Sequence, residues 1–167
     1  MNKLVYQYNP FIKVYKENFK NKFLSRKNFH KILLQNAAMV ILKNKKNKIL
    51  FLNEYRRGIK KKTLGFPGGH IEKNETPLKC VKRELYEETN LKAKNWKLLF
   101  SYVRHGTYNC GKDYVFTADI LEDRKKKIID SSDIKWLNFK QISNKVKKNE
   151  FKTAGIIASI LFYIHNE

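Results

Sequence analysis

Glu84, Glu87 and Glu88 stand three and four residues apart, so a helix would carry three carboxylates on one face within about one turn. From Glu84 to Leu91 the net charge is −3, inside a chain whose formal total is +21. Like charges at that spacing cost roughly 0.2–0.5 kcal/mol per pair even when exposed. They also lie toward the C-terminal end of the helix, where the backbone dipole disfavours anions. A hard divalent cation, Mg²⁺ or Mn²⁺, would cancel the repulsion, because clustered oxygen ligands are what such ions prefer. The competing reading is a solvated helix face neutralised by nearby lysines, and the E-x-x-E-E spacing taken alone favours it.

The spacing is not alone. Upstream stands Gly69-His70-Ile71-Glu72-Lys73-Asn74-Glu75, then Thr76 to Lys82, then Arg83-Glu84-Leu85-Tyr86-Glu87-Glu88-Thr89-Asn90-Leu91. Residues 69–91 resemble the Nudix box: Gly, five residues, Glu, seven residues, then Arg-Glu-apolar-x-Glu-Glu-x-Gly-apolar. Gly69, Glu75, Arg83, Glu84, Leu85, Glu87, Glu88 and Leu91 fall in register. Asn90 stands where the family has Gly, and Asn is the next residue best able to adopt a left-handed conformation.

The resemblance implies a Nudix hydrolase, which cleaves a nucleoside diphosphate linked to another moiety. It implies that Glu84 and Glu88 are the principal Mg²⁺ ligands (Mn²⁺ being an alternative ion) and that Glu87 is a third, directly or through water. A backbone carbonyl around Gly68 completes the set, with Gly68 and Gly69 lining the substrate, while Glu75 and Arg83 tie loop to helix. The chemistry is consistent with this, since hydrolysis of a pyrophosphate requires its negative charge to be neutralised.

The flanks resemble one branch of the family. Asn53-Glu54-Tyr55-Arg56-Arg57-Gly58 and Gly65-Phe66-Pro67-Gly68-Gly69 are similar to the strand-end Q-x-R and the P-x-G loop of ADP-ribose and nucleotide-sugar pyrophosphatases. That likeness implies ADP-ribose or another nucleotide sugar as substrate, and a homodimer supported by the N-terminal extension. Arg56 is the phosphate-contacting candidate, given its fork of donors and fixed charge; a surface arginine at a strand end is the alternative, and Arg57 is weaker. The loop from His105 to Gly111 lacks the S-P-G of that branch; Tyr108 or His105 could stack on a base or polarise a phosphate, but the pattern favours an exposed loop aromatic. A further carboxylate serves as general base in those enzymes; Asp133 is ranked first here, with Asp130 beside it and Asp113 an outside candidate.

These residues need a scaffold, and the patterning supplies an α+β one. Thr76-Pro77 opens a helix to about Thr89, with Thr as N-cap, Pro at N1 and Leu78, Val81 and Leu85 as its apolar stripe. Ala37–Leu42 and Ile49–Glu54 read as a hairpin around a lysine-asparagine loop. Gly65–Gly69 reads as a rigid bend, Trp96–His105 and Asp113–Leu121 as strands, and Ile134–Asn138 as a short strand. Two helices follow, about Phe139–Lys148 and Phe151–His165. Strand-prone pieces at Phe11–Lys16, Phe19–Ser25 and Lys31–Gln35 form a β-rich extension over about residues 1–36. The expectation is one domain over residues 1–167, a mixed sheet between helices in the Nudix fold that the box implies.

Composition bounds the rest. With 42% hydrophobic residues, 11 Phe and 9 Tyr in 167 residues, a real core can be buried. No apolar run approaches the roughly 20 residues of a membrane span, and Ala154–Ile164 reads as a buried terminal helix. The N-terminus lacks the continuous apolar stretch of a signal peptide. Cys80 and Cys110 fit neither a disulfide framework nor a C-x-x-C site, so a reducing cytoplasm is expected. The charge, 36 Lys+Arg against 15 Asp+Glu, would attract polyanions. Lysine outnumbers arginine thirty to six, however, as compositional bias would produce, and no nucleic-acid-binding motif accompanies it. An RNA 5′-pyrophosphohydrolase and a non-catalytic nucleotide- or RNA-binding module are therefore carried as rivals.

Overall fold

The computed structural model describes residues 3–8, 12–17, 29–108, 111–121 and 133–166. Asp130, Cys110 and Phe19–Ser25 lie outside the described residues.

The first three strands, β1 (Lys3–Tyr8), β2 (Ile12–Glu17) and β3 (Phe29–Leu34), form an antiparallel sheet of their own. It joins the main body at the start of β4 (Ala37–Lys43). There the Ile32 amide donates to the Tyr108 carbonyl at 3.0 Å, Phe29 stacks on Tyr108, and Arg104 bonds the Gln35 carbonyl. The main sheet runs β10–β5–β4–β9–β8, with β6 on β5 and β7 on β4. Its further strands are β5 (Ile49–Arg56), β6 (Lys61–Gly65), β7 (Gly68–His70), β8 (Lys92–Val103), β9 (Lys112–Leu121) and β10 (Ile134–Leu137). Parallel pairing of β4 with β9 makes the sheet mixed; the other pairings are antiparallel.

Alternation along the strands builds two cores. Ala38, Val40 and Leu42 with Leu50, Leu52, Phe116 and Ala118 meet Cys80, Val81 and Leu85 of helix α1 (Pro77–Thr89). On the opposite face, Ile41, Ile49, Phe51 and Val115 pack with Ile142 of α2 (Phe139–Lys147), Phe151, and Ile156, Ile160 and Tyr163 of α3 (Ala154–Asn166). The sheet is thus sandwiched between helices, as the patterning leads one to expect. Helix α3 departs from the buried terminal helix: Leu161, Phe162 and Ile164 are exposed, so only one stripe is covered.

The β4–β5 hairpin differs more. The two strands pair only at Lys43 and Ile49 beside the loop, and then splay apart. Into the gap comes the glycine-rich segment, which is not a bend alone but a strand: β7 pairs Gly68 and Gly69 with Met39 and Ala38, and the Val40 amide donates to the Pro67 carbonyl. Gly68 explains why the wedge fits. Its φ is +154°, and a Cβ there would sit 2.6 Å from the Met39 Cα and against the Ala38 carbonyl. Gly68→Ala is accordingly expected to cost about 2–4 kcal/mol, read from urea unfolding, because the backbone on both sides must move.

Candidate active site

Helix α1 is delimited as its sequence requires. The Thr76 hydroxyl accepts from the Lys79 amide at 3.3 Å, Pro77 occupies the first turn, and Asn90 closes the helix at φ 57°, its amide donating to the Tyr86 carbonyl. The Asn in place of Gly therefore does adopt the left-handed cap. Cys80, Val81, Leu85 and Thr89 bury one stripe, which leaves the box carboxylates at the margin facing β7. Burial pushes the Cys80 thiol up to about 12, so it is an inert packing group.

Arg83 organises the acidic face. Its guanidinium donates to Glu75 through Nε and Nη2, both at 3.0 Å, and to the His70 carbonyl through Nη2 at 3.3 Å. Nη1 reaches Glu84 Oε1 at 2.8 Å and Glu87 Oε2 at 3.2 Å. Glu75 also accepts from the Glu72 amide, and Arg83 holds its carboxyl below the usual carboxylate range. The loop and the helix are thus joined by one cation shared among three acids.

Glu88 is set apart. Its Oε2 accepts from the Gly68 amide at 3.0 Å, and its carboxyl is pushed up to about 7. Burial is the main cause, opposed by that hydrogen bond and by Arg56; the nearby charges of Glu54 and Glu84 add to it. Gly69 adjoins Glu84 closely enough that a Cβ would lie 2.7 Å from Oε2, so this position must lack a side chain.

The structure brings together Glu84, Glu88, Gly68, Gly69 and Arg56, and ties Glu75 and Arg83 beneath them. Glu87 stands further out, its side chain 56% exposed and joined to Arg83. Asp133 is not brought in. Strand register continues Ile134 opposite Leu52, so Asp133 falls with Asn53 on the α2–α3 face, where its Oδ1 meets Lys62 Nζ at 3.2 Å. Asp113 likewise lies on that face, opposite Ala37 and ion-paired with Arg104 at 3.0 Å; burial raises its pKa despite Arg104. His105 and Tyr108 contact each other, and Tyr108 is engaged with β3.

One residue that motif reasoning passed over belongs here. Glu54 follows Leu50 and Leu52 on the α1 side of β5, and its Oε2 lies 2.6 Å from Arg56 Nη2, an ion pair whose angles do not make a hydrogen bond. Period-two alternation along Leu50-Phe51-Leu52-Asn53-Glu54 contained that signal.

The donor chemistry fits a hard divalent cation: carboxylate oxygens of Glu84 and Glu88, beside backbone that a Cβ at Gly69 would obstruct. Among the described residues no three acid, His or Cys side chains are already gathered as a ligand set, because Glu84 and Glu87 turn to Arg83 and Glu88 to Gly68.

The scaffold is a mixed sheet between helices, with a carboxylate-bearing helix held against a glycine wedge. The NUDIX domain model matches residues 33–159, and the chain belongs to that family of hydrolases. A solved structure of an ADP compounds hydrolase superposes with a TM-score of 0.77 over 99% of this chain and 90% of that one, at 17% identity. A NUDIX hydrolase from Nitrosomonas europaea gives 0.63 over 79% and 89%, at 20% identity. Both likenesses establish the fold. The methanol dehydrogenase activator of Bacillus methanolicus is 35% identical over 66 residues, 40% of this chain and 36% of that protein. The matched part is thus about a third of that relative's length. None of the helices in the described residues is long and apolar enough to cross a membrane.

Proposed function

We propose that this protein hydrolyses the pyrophosphate bond of a nucleoside diphosphate derivative, ADP-ribose or another nucleotide sugar, releasing a nucleoside monophosphate and a sugar phosphate. The observation that carries the reading is the convergence, on one side of the splayed strands, of half-buried Glu88, Glu84 and the Arg56 guanidinium. Acid for a cation and a fixed positive charge for phosphate are the two halves of a pyrophosphate site. The superposition of nearly the whole chain, extension included, on an ADP compounds hydrolase supports the substrate class.

Glu84 and Glu88 would hold Mg²⁺, or Mn²⁺ in its place, and the ion when bound would neutralise phosphate charge and acidify a water ligand. Glu87, on the same face, would hold an outer water. The Gly68 and Gly69 backbone lets the substrate approach without obstruction, and Arg56 receives phosphate oxygens. Arg83, tied to Glu75, keeps loop and helix in register. The general base assigned by resemblance, Asp133, is paired with Lys62 on the other face of β5, so Asp133→Asn is expected to retain turnover within about threefold of wild type. The exposed Leu4, Val5, Tyr6, Tyr8 and Leu33 of the first sheet support a homodimer, readable by light scattering. A cytoplasmic setting accords with the unpaired, buried Cys80.

The test is product analysis by mass spectrometry after incubation with Mg²⁺ and ADP-ribose, other nucleotide sugars, NADH, dinucleoside polyphosphates, NTPs or 5′-triphosphate RNA. AMP with ribose 5-phosphate is the expected result. Release from RNA alone would transfer the function to transcript ends and give the basic surface its ligand. Binding without any turnover, in Mg²⁺ or Mn²⁺, would make the protein a binding module.

A further inference from the structure

Arg56 lies at the exposed end of β5, just before the turn into β6, where an arginine would ordinarily sweep through several rotamers. Here it does not stand alone. Two residues earlier on the same face, Glu54 sets Oε2 2.6 Å from its Nη2. Across the β5–β6 pairing, Gly65 leaves the space that the guanidinium fills: a Cβ there would lie 3.1 Å from Arg56 Nη2 and 3.7 Å from Glu54 Oε2. The contact is charge against charge, not an aligned hydrogen bond. Among the described residues, none accepts a hydrogen bond from this guanidinium, so its N–H donors remain available to a ligand.

We infer that Glu54 is a positioning residue, whose carboxylate fixes the Arg56 guanidinium over Gly65 so that its donors face the phosphates of the substrate. The inference rests on the proposed pyrophosphate chemistry for what Arg56 binds, and on geometry alone for what holds Arg56. The position is distinctive in this chain, because Glu54-Tyr55-Arg56 carries a charged acid where the resembling strand-end pattern carries a neutral amide. An amide could accept from arginine but supplies no net charge to anchor it. Glu54 also adds negative charge beside Glu88, so Arg56 serves to balance the site before substrate arrives.

Two measurements test this. Steady-state kinetics of wild type, Glu54→Gln, Arg56→Ala and the double variant, at saturating Mg²⁺, should show KM rising about tenfold in each single variant with kcat within about threefold. Ordering one long side chain has about that worth in binding. The double variant should match Arg56→Ala, because Glu54 acts only through Arg56. NMR of the arginine side chains, without substrate, should show slow rotation about the Arg56 Nε–Cζ bond in wild type and averaging in Glu54→Gln.

Multiplicative losses in the double variant, or an Arg56 equally mobile in both proteins, would overturn the inference. So would a drop of Mn²⁺ affinity in Glu54→Gln by electron paramagnetic resonance with KM unchanged, since that would make Glu54 a metal ligand. If wild type hydrolyses nothing while the NMR contrast is present, the proposed function fails and the positioning role stands.

Discussion

Glu88→Gln is expected to lower kcat/KM by about a hundredfold to a thousandfold while leaving the fold intact. The amide is isosteric, and its oxygen can still accept from the Gly68 amide, which now meets Glu88 Oε2 at 3.0 Å. What disappears is the charge that would hold a divalent cation, and removal of one such electrostatic contribution is commonly worth about 10²–10³ in rate. Glu84→Gln should act similarly, with the added effect of freeing Arg83 Nη1 from one of its two carboxylates. Glu87→Gln should cost about tenfold only, the size of an outer-sphere effect, because Glu87 is mostly exposed and anchored to Arg83. Parallel assays with Mg²⁺ decide it: equal losses at all three positions would contradict the ranking that burial implies.

The same carboxyl makes the metal-free protein unusual in its response to pH. Glu88 titrates near 7 in the folded chain, against 4.5 for the unperturbed group. A carboxyl with a raised folded pKa prefers to fold protonated. Its contribution is fully present below about pH 4.5 and is lost as pH rises through about 7. For a group largely but not wholly buried, that loss is on the order of 2–3 kcal/mol. In EDTA, urea unfolding between pH 5 and 8 should therefore show wild type losing stability relative to Glu88→Gln by that amount. Added Mg²⁺ should recover it, with the larger recovery at pH 8, where the carboxylate is ionised and ready to ligate. Identical pH slopes in the two proteins would show that burial does not perturb Glu88.

Much of the site could be read from the chain because its rules are local. Thr76, Pro77 and Asn90 each satisfy or end a helical backbone by themselves, and the Glu84–Glu88 spacing needs only one turn. Helices α2 and α3 and strands β8, β9 and β10 were legible within a few residues for the same reason. What escaped depends on partners distant in sequence. Apolar pattern reveals that Ala37–Leu42 and Ile49–Glu54 are strands, but not that β7 takes the place along β4 that a hairpin partner would fill, nor that β9 lies parallel along the other edge of β4. β6, Lys61–Gly65, is short and basic at its start and buries Thr63 and Gly65, not apolar side chains, while β1 is exposed throughout, so neither shows an apolar inward-facing stripe. Asp133 illustrates the limit most sharply. Its position just before a strand was visible, whereas the face it occupies follows from register with β5.

Arg83 has a consequence for how such a protein survives between substrates. By gripping Glu75, Glu84 and Glu87 at once, the guanidinium works as a captive counterion, covalently tethered and always present. The carboxylates can then lie together without a bound cation, and binding of a dissolved ion would be an exchange in which Glu84 changes hands. Without the tethered charge, the helix would need a bound cation simply to offset the repulsion among its carboxylates.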